Sequence, residues 1–500
     1  MTPAEQTALD TLTSAYNDLR VRCEQLEQQL EWFKRQTYGS KSERFVPGNL
    51  QTSLSLDVPT NEIPVQLQTI EAHTRTKTGK AAPHGREDLP AHLPRRETVL
   101  LPGFDTTGME KIGEKVTEEL EYVPPSFFVN RIVRPVFAEV VNGQRQIHCA
   151  DLPARCIEKG KFGPSVVSHL ITSKLIDHMP LHRTRLQFAR ECNLILPQTT
   201  IESAFARGCF WLDAVAAALR QRVNAASYRQ MDESTIRVMI EPTKGKSHQG
   251  YMWVQLAPTE RIVTFDYNGS RSGKMIDTLV PSNWQGVLQS DGYDEYRRFV
   301  TRREGIVHAN CWAHGRRKFD AALTNDRPRA EVALLEFRKL FDIEQDALTR
   351  AEKENIPLVD IRQLLRKDHS LPIVENLFAW LQKQVVEILP KSAIGKAILY
   401  MIDRKKEMMA FLDDGRIELS TNMIENKIRP LALGRKNYLF AGSEQGAKNL
   451  AAGYSVIGTC FLNEINPTHY ISALLKELPR RTANDINDLL PMFWKPREPK

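Results

Sequence analysis

The sequence predicts an α/β protein built on a mixed sheet, with a long helical insertion in it and several smaller modules ahead of it. Three observations carry that expectation. Strand-like runs from Gln230 to Ile240, Tyr251 to Leu256 and Ile262 to Tyr267 follow one another across short turns. Two more runs, Gly286 to Gln289 and Gly305 to Ala309, are separated by helical stretches after Gly273 and after Asp294. A meander followed by strand and helix in alternation gives a sheet of mixed direction. Third, nearly everything from Arg316 to about Phe411 is helical and charged, which reads as an insertion before the last block, Ile417 to Leu478. In that block the sequence predicts a short helix ended by Pro430, then a Gly-rich basic turn and two more apolar helices.

The modules ahead of the sheet are read from periodicity. Leu9, Leu12, Tyr16, Leu19, Cys23, Leu26, Leu30 and Phe33 step by three and four, the a/d seam of about three and a half heptads. Residues 1–45 therefore read as a leucine-zipper-like coiled coil, or else as one amphipathic helix packed on its own domain. Residues 46–97 are Pro, Thr, Gln and charge with no sustained period and read as a flexible linker. Residues 98–160 alternate in β fashion, as in Phe127 to Phe137, and predict a small β module. Residues 161–225 turn helical, and the break at Asn193 to Pro197 before Gln198 is similar to a helix-turn-helix joint. Plain three-helix packing fits the same pattern. The sheet with its insertion, at about 320–415, takes 226–440, and a helical region takes 441–500.

Composition narrows the class. The 500 residues are 41% apolar and 26% charged, with a net charge of +7 that allows a polyanionic partner. The seven cysteines are scattered and form no C-x-x-C pair, which points to a reducing cytosol. No apolar run approaches a membrane span and the first residues lack the order of a signal peptide, so membrane and secreted classes are set aside.

Three acids stand out by position. Asp232 interrupts the first long strand, where an unpartnered carboxylate is costly. Asp291 follows a buried strand at the edge where α/β sheets collect ligands. Glu425 lies on the flank of a helix whose core stripe is Ile424, Ile428 and Leu431. Each has an ordinary alternative: an Arg partner, a turn, a capping box from Asn422 to Glu425. Together they are a set able to hold two hard cations, the arrangement that clamps the attacking and leaving oxygens of a phosphodiester. His308, Cys311 and His314 offer only three ligands and, read along a strand, face both ways, so a structural role, or a hydrogen bond from His314 to the catalytic edge, is preferred to zinc.

The strings RQMDESTIRVMI, LQSDGYDEYRRF, HANCWAHGRRKF and GRKNYLFAGS, in this order and over nearly the whole chain, resemble the transposases of the insertion sequence 66 family, of the TnpC type. The resemblance implies a DDE recombinase with a ribonuclease-H-like core. Asp232, Asp291 and Glu425 match its three catalytic, metal-ligating acids; Mg²⁺ is the implied cofactor, with Mn²⁺ as substitute. Such an enzyme binds double-stranded DNA at element ends, cleaves it and joins the 3′-OH to target DNA in the bacterial cytoplasm, associating with the nucleoid as it acts. A homo-oligomer through the coiled coil and no membrane partner are expected. A nuclease of the same fold that does not join strands, and an end-binding protein without chemistry, are the rival readings.

Two departures from the family pattern stand out. The paired cysteines of a zinc module are missing between Thr98 and Ala154, so zinc is not expected, and Ser420-Thr421-Asn422 replaces an acidic residue and paired Asn. Arg316, Arg317, Lys427, Arg429, Arg435, Lys436 and Asn437 cluster near the acids as a DNA track, with Gly434 read as letting the backbone approach a phosphate.

Overall fold

A computed structural model of the chain describes residues 126–141, 144–158, 160–240, 245–482 and 485–495. The heptad seam, the linker and the first part of the β module lie outside the described residues. The chain divides into two compact units, Met1–Glu118 and Glu119–Lys500, and the description that follows concerns the second.

Strands β1 (Val136–Val141) and β2 (Gln144–Cys149) make an antiparallel two-stranded ladder. Three helices follow: α1 (Pro164–Leu175), α2 (Leu181–Cys192) and α3 (Gln198–Ala225). Asn193 ends α2 in the left-handed region, φ 50°, and Pro197 sets up the start of α3. The predicted break is therefore present, but α3 buries a stripe from Ile201 to Val223 along its length, and Val167 and Ile171 of α1 press so close that a Cβ on Gly208 would lie 2.5 Å from Val167.

The main sheet has five strands, β3 (Tyr228–Met239), β4 (Ser247–Ala257), β5 (Ile262–Asn268), β6 (Gly286–Ser290) and β7 (Ile306–Asn310), in the order β5-β4-β3-β6-β7. β3, β4 and β5 are an antiparallel meander, whereas β6 and β7 run parallel to β3 and are reached through α4 (Lys274–Leu279) and α5 (Asp294–Thr301). Alternation divides the side chains of β3 between two cores. Ile236 and Val238 join Val254, Val263 and Phe265 on one face, while Met231 joins Trp253, Leu288, Tyr296 and Phe299 on the other.

On the first face lie α1, α3, α12 (Asn422–Tyr438), α13 (Glu444–Leu462) and α14 (Pro467–Glu477). The segments that the sequence divides at 225 and 440 thus share one apolar core. The edge strand β5 is not left open on this side: the Phe265 N–H donates to Ser455 Oγ at 2.8 Å and the Val263 N–H to Thr459 Oγ1 at 3.2 Å.

Helix α12 corrects two expectations. It runs through Pro430 to Tyr438, because its core stripe of Ile424, Ile428, Leu431 and Tyr438 is buried on both sides of the proline, and packing outweighs one lost backbone bond. The basic part of the Gly-rich turn, from Gly434 to Tyr438, is helix as well, and the chain turns only at Leu439, φ 64°. A Cβ on Gly434 would come within 2.8 Å of Tyr438 and 2.9 Å of the Tyr454 hydroxyl, so this glycine makes room for two tyrosines, not for a phosphate.

The insertion comprises α7 (Arg327–Glu354), α8 (Leu358–Leu365), a π-helical turn at Arg366–Ser370, α9 (Leu371–Gln384), α10 (Ala393–Ile402) and α11 (Lys405–Met409), preceded by α6 (Trp312–Ala322). Trp312 is the centre of its core, with edge-on contacts to Phe337, Phe378 and Phe411. Arg366 is fully buried there, forked onto Glu344 at 2.7 and 2.8 Å and donating to the carbonyls of Phe411, Asp414 and Ile417. Arg362 is bidentate on Glu418 at 2.8 and 2.9 Å. Among the described residues no helix is long and apolar enough to cross a membrane.

Glu344→Ala leaves the Arg366 charge buried with only carbonyl partners. The variant should lose about 3–5 kcal/mol, read as a lower urea midpoint for the transition of the insertion.

Candidate active site

Backbone register brings the first two acids together. Gln230 of β3 is opposite Gln289 of β6 in a parallel pair, and Gln230 Nε2 donates to Gln289 Oε1 at 2.9 Å. Two residues further along each chain, on the same face, come Asp232 and Asp291. The third acid arrives on α12, whose start is tied to the same glutamine: Gln230 Nε2 donates to the Ser420 carbonyl at 3.3 Å and the Ile424 N–H to Gln230 Oε1 at 3.3 Å. The far end is stitched to β3 as well, since the Met239 N–H donates to the Ala441 carbonyl at 3.0 Å and the Ala441 N–H to that of Arg237 at 2.8 Å. Glu425 consequently lies on the sheet face that carries Asp232.

The three carboxylates act on one another electrostatically. Burial first, then the charges of Asp291, Glu233 and Glu425, pushes the Asp232 carboxyl up to about 8, against the stabilising Glu233 N–H that it accepts at 2.7 Å. Asp291 Oδ1 accepts the Tyr293 N–H at 2.9 Å, and the loop is held from the insertion: Tyr400 Oη donates to the Asp291 carbonyl at 2.9 Å and Arg404 Nη2 to that of Gly292 at 3.1 Å. Gly292, at φ 95°, occupies a conformation closed to most side chains, and a Cβ there would meet the Tyr400 hydroxyl at 2.6 Å. Glu425 Oε1 is 2.8 Å from Arg317 Nη2 and 3.7 Å from His314 Nδ1. Burial, then Arg317, holds the His314 imidazole below its ordinary range, with Asp291 and Glu425 opposing.

Among the described residues no three His, Cys, Asp or Glu side chains are gathered closely enough to hold a metal ion as they stand. The chemistry of the donor set still suits one. Three carboxylates with no thiolate among them are a hard-oxygen set, and a cation there would offset the burial and the neighbouring charges that disfavour the ionised form of Asp232.

The histidine–cysteine string divides by element. His308 is on β7, Cys311 precedes α6 and His314 is on α6, so the reading of all three along a strand is corrected: the chain turns into a helix at Trp312. Cys311 Sγ accepts the Thr421 N–H at 3.2 Å and His308 Nε2 is 2.9 Å from Ser290 Oγ. Of the expected DNA contacts, Arg317 faces Glu425, but Arg435 is turned inward onto Ser234 and Thr235. Lys427, two residues from Glu425 on a helix of 3.6 per turn, points to the opposite flank and lies in the field of Arg261. Arg316, Arg429, Lys436 and Asn437 are exposed. Tyr400 and Arg404 were not legible as site residues: only their i, i+4 spacing within the insertion marks a shared face.

Comparison with known proteins gives the class as transposase. The family model described as "Transposase IS66 family" matches residues 159–449, more than half of the chain, and the chain belongs to that family. The model "IS66 C-terminal element" matches 455–492, and "Transposase C of IS166 homeodomain" matches 25–98, which takes in the stretch read as linker. Two proteins of Sinorhizobium fredii (strain NBRC 101917 / NGR234), both described as uncharacterized, y4qI and y4jD, are similar over their length. They are 29% identical over 496 residues and 28% identical over 495, covering 93% and 94% of this chain and 88% and 94% of theirs.

His308 gives a test of the site's packing. Burial, helped by Arg297 and Arg404, pushes its imidazole down to about 4, below the ordinary 6.5. A buried neutral histidine favours the native state above about 6.5 and that advantage is lost as pH falls toward 4. Over this window the raised Asp232 carboxyl works the other way, so the readout is the difference between variant and wild type. The thermal midpoint of His308→Gln should gain on that of the wild type as pH falls from 6.5 to about 4.

Proposed function

We propose that the chain is the DNA transposase of an insertion sequence, cutting at the ends of its element and joining the freed 3′-OH to target DNA on a ribonuclease-H-like core. The pairing of Gln230 with Gln289 carries this reading, because it sets Asp232 and Asp291 side by side under the helix that bears Glu425. The strand order β5-β4-β3-β6-β7, with an antiparallel meander and two parallel additions, supports the fold assignment. Family membership supports DNA as substrate.

Asp232, Asp291 and Glu425 are the residues proposed to hold Mg²⁺ or Mn²⁺; when bound, such ions supply Lewis acidity at the phosphate oxygens. The chain's own part is geometric. Asp232 is fixed by its strand, Asp291 by the Tyr293 N–H and the grip of the insertion on its loop, and Glu425 by α12. Arg317 keeps Glu425 in place through a charge-assisted hydrogen bond and has to give it up, at least in part, for the acid to turn to the other two. The nucleophiles are water and then the 3′-OH of the DNA, and no covalent protein intermediate is formed.

Asp232→Ala, Asp291→Ala and Glu425→Ala should each lower cleavage and joining by at least about a hundredfold, more than the loss of an outer-shell metal partner, with DNA binding retained in a gel-shift assay. Glu425→Gln keeps the size and loses the charge, so it should fail as well. Turnover like that of the wild type in any of the four removes that residue from the site. Cleavage without transfer of a pre-cut end would point to the nuclease reading.

A homo-oligomer through the N-terminal seam is part of the proposal, since two element ends have to be held together. Leu19 and Leu26 occupy the same heptad position; replacing both by Ser removes burial worth about 1.5–3 kcal/mol each per helix. The mass by light scattering should fall to the monomer, and an unchanged mass would identify the seam as intramolecular packing.

A further inference from the structure

β3 carries a second acid beside Asp232, and alternation turns it the other way. Glu233 is opposite Trp253, on the face of Tyr296 and Phe299, and its side chain is only 4% exposed. Tyr296, fully buried, donates its hydroxyl to Glu233 Oε2 at 2.8 Å. Arg271, from the loop after β5, puts Nε at 2.8 Å and Nη2 at 2.6 Å from Glu233 Oε1. The guanidinium also lies 4.1 Å from the centroid of the Tyr293 ring. A long side chain that half of solvent reaches, 47% exposed, is thus held by a buried carboxylate and an aromatic face.

The position matters because β5 and β6 both run parallel to β3 and end alongside it, β5 level with Thr235 and β6 beside Met231, so the loops that carry Arg271 and Asp291 leave the sheet in the same direction. Arg271 lies in the electrostatic field of Asp291 there, a fixed cation at the rim of the acid cluster. Nη1 takes no part in the bonds to Glu233, and a guanidinium offers the planar fork that suits a phosphate. Directly after it, Ser272 and Gly273 open a cleft of about 530 Å³ between α4 and α5 whose cations are Lys274, Arg297, Arg298 and Arg302, with Asp277 and Glu295 as its acids. Several of these cations are engaged with those acids or with the insertion, so the ordered guanidinium of Arg271 is the better-defined anion contact.

We propose that Arg271 binds a backbone phosphate of the DNA strand beside the acid cluster, with Glu233 and Tyr293 as its mount, and that the cleft between α4 and α5 carries the same strand away from the site. Glu233 is by this account a positioning residue and no metal ligand. The inference rests on the transposase reading of the acid site.

The test uses the full chain and a duplex oligonucleotide carrying one end of the element that encodes it, with single phosphates replaced in turn by neutral methylphosphonate. For the wild type, one neutralised phosphate near the cut should weaken binding about tenfold or more, the order of a charge-assisted bond. Arg271→Met keeps the packing on Tyr293 and drops the charge. It should bind more weakly, lower the slope of log K against log salt by about one, and lose sensitivity to that one methylphosphonate while keeping the rest of the pattern. Arg271→Lys should restore the slope. Should the Met variant lose its thermal transition, Arg271→Gln, which still donates to Glu233, carries the same measurement. An unchanged methylphosphonate pattern in the uncharged variant would make Arg271 a structural partner of Glu233 and overturn the inference. A wild type that neither binds nor cuts the duplex would overturn the transposase reading first, and this inference with it.

Discussion

The polar contact on which the site depends is the buried pair Gln230 and Gln289. Both side chains are inaccessible to solvent, and an amide in that position has to find partners or lose several hydrogen bonds' worth of free energy. They find each other, the Tyr228 hydroxyl, and the carbonyls of Glu418 and Ser420. This network does what an apolar pair could not. It fixes the parallel register of β3 and β6, since a slip by one residue would turn one amide to the other face of the sheet. It also anchors the chain that leads into α12. Two strands and a helix far apart in sequence are thereby set to one another at the level of single side chains.

The same chain segment is held from its other side by the insertion. Arg366 takes the carbonyls of Phe411, Asp414 and Ile417, Arg362 takes the Glu418 carboxylate, and Glu344 lies between the two arginines at 2.7 and 3.0 Å. Buried charges of this kind are a weak source of net stability, but breaking one of them leaves an uncompensated charge and is costly. Few other conformations of 411–421 satisfy them, so the helices that interrupt the sheet in sequence brace its third acid in space. Tyr400 and Arg404 do the same for the loop of Asp291. The insertion thus grips both acids that do not lie on a strand.

Much of the fold was legible because it follows from period and punctuation. The five strands fall within a few residues of their runs, and the break at Asn193 to Pro197 is where the left-handed residue and the proline predict it. The acids were legible singly from their places on elements. What was not legible is whatever depends on partners remote in sequence. Pro430 is a helix stop by local rule, and only the tyrosines and aliphatics packed around it show why the helix goes on. Gly434 and Arg435 read as a phosphate approach, yet one makes room for aromatic rings and the other ties α12 to β3. Arg271 gave no signal at all, since its significance comes from a buried glutamate on another strand.

One feature of the first core has a bearing on how the protein is made. Ser168 of α1 donates to the carbonyl of Thr468 across 300 residues, and α13 and α14 complete the apolar core that α1 and α3 begin. During synthesis, at a pace of about 5–20 residues per second, the early helices wait some tens of seconds for the strands and helices that bury them. Contacts so distant in sequence make for slow closure and for apolar surface exposed in the interval. A message cut short before α13 would leave that surface exposed for good, and its product would be a substrate for proteases and chaperones instead of a competitor for element ends.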